Sequence, residues 1–182
     1  MAEPTCYMER RYMTQHWYAI YTKHNAEQIL REGIVNYSER NALNYETYLP
    51  LREDVKKWRD RIKVRKLPLF RNYLFVKHDD NGFHKIKNMK GFCDYIRLGS
   101  MPSTIPLKQM ELIKKVVEHQ EGEYCQPSKL VKGKKVKICC GDLAGFEGVL
   151  LADQSHHTLA IEVKSLQLFL NVNVAITDVA LI

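Results

Sequence analysis

Residues 66–76 read KLPLFRNYLFV, and the second half of that stretch decides the fold. In Asn72 to Lys77 (NYLFVK) the residues Tyr73, Leu74, Phe75 and Val76 follow one another without a polar break. Successive side chains of a strand point to opposite faces, so an unbroken apolar run predicts a strand central in its sheet. Upstream, Trp17-Tyr18-Ala19-Ile20-Tyr21-Thr22 is aromatic and apolar enough for a second strand, and Tyr45 to Leu49 reads as a third, ended by Pro50. Between these, Asn25 followed by Gln28 predicts a capped helix start. Ala26, Ile29, Leu30, Gly33, Ile34 and Tyr37 then recur at three- and four-residue spacing, marking one helical face as far as Arg40. Downstream, Asp79 to Gly82 signal a turn, Phe83 to Met89 a short helix ended by Gly91, and Phe92 to Leu98 another strand. Pro106 suits the first turn of a last helix, with Leu107, Met110, Ile113 and Val117 as its apolar stripe. Four strands interleaved with three helices describe an α+β layer.

The rest of the chain has a different character. Residues 1–118 carry 22 Lys and Arg against 14 Asp and Glu, whereas residues 119–182 carry 6 against 7. Fifteen of the eighteen aromatic residues also precede residue 119. At 182 residues the chain exceeds the commonest domain size of roughly 100–150, and this asymmetry divides it in two. His119 to Lys129 (HQEGEYCQPSK) is poor in apolar residues and reads as a linker. Beyond it Val136-Lys137-Ile138, Gly148 to Leu151, Leu159 to Val163 and Leu168 to Val174 are short strands separated by Gly, Asp and Asn turns, the pattern of a small β-barrel. The expected organisation is an extension over 1–16, an α+β domain over 17–118, a linker over 119–129 and a barrel over 130–182.

Composition excludes several classes. Hydrophobic residues at 45% and charged residues at 27% are ordinary globular usage, not that of disordered or fibrous chains. No apolar run approaches the ~18 residues of a membrane span, and the first sixteen residues lack the apolar centre of a secretory signal. Five cysteines, two of them adjacent at Cys139 and Cys140, make no disulfide framework, so a reducing cytoplasm is the expected setting. There is no phosphate-binding loop, nucleophile elbow or zinc-protease motif, so no enzymatic activity and no cofactor are expected. Cys139-Cys140 and His156-His157 miss the spacings of zinc sites, and no metal is expected.

The formal charge of +7 points to a polyanionic or acidic partner, and its densest part is local. Residues 52–66 (REDVKKWRDRIKVRK) hold eight basic and three acidic residues around Trp58, between two predicted strands. Such a segment is a long exposed loop or hairpin. Its cations release counterions when they meet phosphates, and Trp58 can stack on an unpaired base.

Three segments taken in order resemble the NusG family of transcription elongation factors, and within it the specialised branch of RfaH and the UpxY-type antiterminators. They are WYAIYTKHNAEQ at 17–28, KLPLFRNYLFV at 66–76 and KGKKVKICCGDLAGFEGVLL at 132–151. The third resembles the KOW signature, with Gly141, Leu143, Phe146 and Gly148 at its key positions. The resemblance implies an N-terminal NGN-type antiparallel sheet with flanking helices, plus a C-terminal small KOW-type β-barrel. Arg71 stands where the family usually has proline, and Leu143 replaces a common aromatic. Gly82-Phe83-His84-Lys85 stands where RfaH has its His-Thr-Thr-Thr contact, so that contact does not carry over.

By resemblance the first domain docks on a helix pair, the clamp helices of the largest subunit of RNA polymerase, through Trp17, Tyr18, Tyr21, Phe70, Tyr73 and Phe75. Strand alternation splits this set between core and partner sides, and Tyr21, Phe70 and Tyr73 are expected on the partner side. Lys23, His24 and Arg31, with Lys57, Arg59, Arg61 and Arg65 of the basic loop, are expected to contact nucleic acid, the displaced non-template DNA strand by resemblance. The KOW loop would recruit a small-subunit ribosomal protein or the termination factor Rho. The expected function is suppression of pausing or premature termination, at specific operons such as capsular polysaccharide loci. The alternatives are a general housekeeping NusG-type factor and an RNA- or ribosome-binding KOW protein. Because Ile161, Val163, Val172 and Val174 are β-branched, the C-terminal domain is expected to stay β rather than form the helical hairpin of RfaH.

Overall fold

In a computed structural model of the chain, residues 14–57, 61–118, 122–125, 133–141, 143–151, 158–166, 168–173 and 178–182 are described. Strand β5 (Tyr73–His78) pairs antiparallel with β1 (His16–Thr22) on one side and with β2 (Glu46–Tyr48) on the other, so the apolar run is central in its sheet. The far edge of β1 is taken by β6 (Phe92–Tyr95) and, near its start, by β9 (Thr104–Ile105). The stretch expected as one strand over 92–98 breaks at Ile96, whose N–H reaches the Ala19 carbonyl at 2.9 Å, and β7 (Arg97–Leu98) turns away to form a small hairpin with β8 (Met101–Pro102).

Alternation along β1 and β5 builds two cores. Tyr18, Ile20, Leu74 and Val76 face helix α1 (Glu27–Arg40), with Leu30 and Ile34, and helix α2 (Gly82–Lys87), with Ile86. Trp17, Ala19 and Phe75 face the opposite way, in one cluster with Met110 and Ile113 of helix α3 (Leu107–Glu118). The α1 start differs from expectation. Asn25 does not cap the helix; it adopts a left-handed φ of 53° in the turn, and α1 begins at Glu27 without a side-chain cap. Glu27 is instead buried, and its Oε1 accepts the backbone N–H of Asn72 at 2.7 Å.

Helix α3 buries Met110, Leu112, Ile113 and Val116, while Leu107, expected in its stripe, is 66% exposed. At about 100° per residue those four positions span roughly 160° of the helix, wider than the ~100° stripe a helix needs against one layer. The second layer is the C-terminal sheet. Its order is β10 (Gly122–Cys125), β14 (Leu168–Asn173), β13 (Thr158–Val163), β12 (Glu147–Leu151), β11 (Lys135–Ile138) and β15 (Val179–Leu181), with antiparallel pairing throughout. Ser165 Oγ donates to Gln109 Oε1 of α3 at 2.6 Å, and Ile138, Leu159 and Leu170 belong to the same buried cluster as Trp17 and Phe75.

Among the described residues the expected small barrel is seen as an open six-stranded sheet with β10 and β15 at its edges, and β10, from within the stretch read as linker, extends it beyond β14. No α-helix occurs among the described residues beyond 132, whose regular structure is strand with a 3-10 turn at Lys164–Leu166, while Val174 at the end of the predicted last strand lies outside the described residues.

Within the first core sits a buried histidine, His78, stacked on Tyr18 at 4.8 Å between ring centroids and edge-on to Phe83 and Tyr95. Its Nδ1 donates to the Asp79 carbonyl, which leaves Nε2 to accept the Tyr95 hydroxyl at 3.1 Å. Burial lowers its pKa, opposed by that carbonyl bond and by Asp79 and Asp80. The folded state therefore binds fewer protons than the unfolded chain below the ordinary histidine value of about 6.5. Stability should be complete above that value and fall as the pH drops towards the lowered folded pKa. Denaturant midpoints compared at about pH 7.5 and about pH 5.5 should show this decline, and His78→Gln should flatten it. A Cβ on Gly82 would collide with the His78 ring at Nδ1. Gly82→Ala should accordingly cost about 1–3 kcal/mol in the same measurement, as overpacking does.

Candidate nucleic-acid and protein interface

The basic segment is a hairpin. Strands β3 (Leu51–Lys57) and β4 (Ile62–Pro68) pair in unbroken register from Leu51 opposite Pro68 to Lys57 opposite Ile62. They form a separate two-stranded ribbon that joins neither main sheet. Arg52, Lys56, Lys57, Arg61, Lys63, Arg65 and Lys66 are all exposed along it, whereas Trp58 and Arg59 at its tip lie outside the described residues. Of the cations singled out from sequence here, Lys57, Arg61 and Arg65 are thus exposed on the ribbon or at its tip.

At the far end of β1 four segments converge. Thr22 N–H donates to Asn72 O at 2.8 Å, Lys23 N–H to Gly91 O at 2.9 Å, and Glu27 holds Asn72 as above. This gathers exposed Lys23 and His24 with Arg71 and Lys90, while Arg31, one turn into α1, is half-buried. Sequence reasoning missed Lys90, because nothing local ties it to Lys23; only the Lys23–Gly91 hydrogen bond does. Arg71 occupies the second position of a turn closed by Tyr73 N–H to Phe70 O at 3.4 Å, with Asn72 at a φ of 65°. Proline favours that second position and Asn or Gly the third, so Asn72 keeps the turn where Arg71 replaces proline with a charge.

Alternation does not divide the aromatic set: Tyr21 and Tyr73 lie on the same face as buried Trp17 and Phe75, and are reached because they stand at the end of the strand pair. Trp17, Tyr18 and Phe75 are buried, and so is Phe70, expected on the partner side but fully enclosed edge-on against Phe75 at 5.8 Å. Phe70 precedes the turn rather than lying in β5, so strand alternation could not place it. Lys114 of α3 sits 5.5 Å from the centroid of the Trp17 ring and 5.7 Å from that of Tyr48, closing that side. Tyr21 is 44% exposed and packs edge-on to half-buried Tyr73 at 5.6 Å. These two rings are the accessible part of the set.

In the C-terminal sheet the loop from Cys139 to Phe146 folds back on β11, with Gly145 N–H donating to Ile138 O at 2.8 Å and Gly141 at a φ of 76°. Gly148 serves packing, since a Cβ there would lie 2.6 Å from Ala160 O. Leu143 and Phe146 are half-buried against the shared core, and the Lys108 ammonium of α3 lies 5.7 Å from the Phe146 centroid. No group of three or more His, Cys, Asp or Glu able to hold a metal occurs among the described residues. No helix among them is long and apolar enough to cross a membrane.

The family model for NusG, described as transcription termination factor nusG, matches residues 15–114, more than half of the chain. The chain belongs to the NusG family. Among solved structures it is similar to one titled as domain interaction in Thermotoga maritima NusG, at 19% identity over 92% of this chain and 97% of that one, with a TM-score of 0.60. That likeness shows the fold. Two conformations of the MjSpt4:Spt5 complex match at 15% and 13% identity over 91% of this chain and 96% and 97% of theirs, with TM-scores of 0.33, too loose to bear on the fold. Membership makes this chain a transcription factor by family description.

The placement of the rings predicts a split in mutational cost. Phe70→Ala, which empties a fully enclosed site, should lose about 3–5 kcal/mol in chemical denaturation, whereas Tyr21→Ala should stay within about 1 kcal/mol.

Proposed function

We propose that this NusG-family chain is an elongation factor of the specialised antiterminator type. It binds RNA polymerase through its N-terminal domain and suppresses pausing or premature termination at specific operons such as capsular polysaccharide loci. The observation that carries this reading is the pair of exposed Tyr21 and half-buried Tyr73 beside the Lys23, His24, Arg71 and Lys90 cluster at one end of the sheet. Stiff aromatic rings bury large area for few lost rotamers, which suits docking on a helix pair. Cations at the same end suit the exposed non-template strand next to such a dock. The C-terminal sheet is the KOW-type module, and Leu143 and Phe146 meet a small-subunit ribosomal protein or Rho only after the Lys108 contact gives way.

The test is a transcription assay on a pausing template with the full-length protein. Wild type should shorten the pauses, and Tyr21→Ala with Tyr73→Ala should abolish the effect while the denaturation midpoint shows the protein folded. Unchanged pause shortening by that variant would remove the docking assignment. Equal effects on all templates, with or without an operon-specific leader, would make the protein a general elongation factor.

A further inference from the structure

We propose that the β3–β4 ribbon grips double-stranded DNA, and that it does so with one face only. In an antiparallel pair, directly opposed residues share a face. The register therefore puts Arg52, Asp54 and Lys56 of β3 on the same face as Leu67, Arg65 and Lys63 of β4. That face carries four cations and one carboxylate. The other face carries Glu53, Lys57 and Lys66 among Leu51, Ile62, Val64 and Pro68, with Ile62 and Val64 both exposed. The sequence shows eight basic residues in one run; the register places six of them, four on one face and two on the other.

A second observation points to an anion. Lys56 and Lys63 are direct cross-strand partners and both are exposed. Like charges placed opposite one another destabilise a sheet, and a phosphate between them removes that cost. Arg52 and Lys56, four residues apart on one strand, extend the charged row over about 13 Å, long enough to follow a phosphate backbone.

Duplex DNA fits this row better than its rivals. Trp58 lies between the two strands and not on this row; residues 51–57 and 61–68 contain no aromatic ring, and grip on single strands along the row would need stacking as well as charge. Two strands about 4.8 Å apart with their side chains suit the roughly 12 Å major groove of B-form DNA, whereas the major groove of A-form RNA is too narrow. This inference rests on the reading that the ribbon meets nucleic acid and goes further by naming the duplex and the face.

Two variants of the full-length protein remove equal charge from opposite faces: Lys56→Gln with Lys63→Gln, and Lys57→Gln with Lys66→Gln. Binding to a fluorescent B-form duplex of random sequence is followed by anisotropy across a salt series without polymerase, with a single strand and an RNA duplex as competitors. The first variant should weaken duplex binding about tenfold and flatten the slope of log K against log salt by nearly 2, at about 0.9 for each phosphate no longer neutralised. The second should change affinity by less than about threefold. The denaturation midpoint of the first variant should hold or rise, since it relieves the facing lysines. Equal weakening by the two variants, or none by the first, would overturn the one-faced grip. Preference for the single strand would overturn the duplex assignment while leaving nucleic-acid contact by the ribbon in place, and preference for the RNA duplex would overturn the choice of DNA.

Discussion

The pairing of β1 with β5 holds the N-terminal half together, because the three helices pack on its two faces and β2, β6 and β9 pair along its edges. The register from His16–His78 to Tyr21–Tyr73 sends Tyr18, Ile20, Leu74 and Val76 one way and Trp17, Ala19 and Phe75 the other. A slip of one residue would exchange the two cores, and neither face tolerates that. The first face is bound to α1 and α2 and encloses His78; the second is bound to α3 and, through it, to the C-terminal sheet. Where the pair ends, Tyr21 emerges beside half-buried Tyr73, so the same register that builds the cores also delivers the accessible rings.

Helix α3 has a double allegiance that follows from its width. Its buried arc is too broad for one layer, and Gln109, Lys108 and Lys114 link it to Ser165, Phe146 and Trp17 respectively. The two halves of the chain consequently share one buried cluster, although their compositions differ. The loop from Cys139 to Phe146 is affected most, because its half-buried Phe146 meets Lys108 of α3.

Strand existence was legible wherever hydrophobic pattern and turn residues agreed: Trp17 to Thr22, Tyr73 to Val76, and the short strands from Lys135 to Asn173. Boundaries and caps were less so. Asn25 looked like a cap but was needed for a left-handed turn, and the carboxylate of Glu27 was spent on Asn72, a partner brought close only by folding. Gly122–Cys125 read as linker because a strand that merely extends an existing sheet needs little apolar pattern of its own.

What the sequence determined by itself was the chemistry carried by each segment: a central apolar strand, a ribbon crowded with lysine and arginine, an aromatic N-terminal half and a β-branched C-terminal one. Those are local properties, set by side-chain type and period. Which rings lie outside, which lysines share a face, and whether six strands close into a ring were decided only by tertiary structure. Each depends on register, on edges and on contacts between residues far apart in the chain, and such pairings are fixed by the packing of the whole rather than by any segment within it.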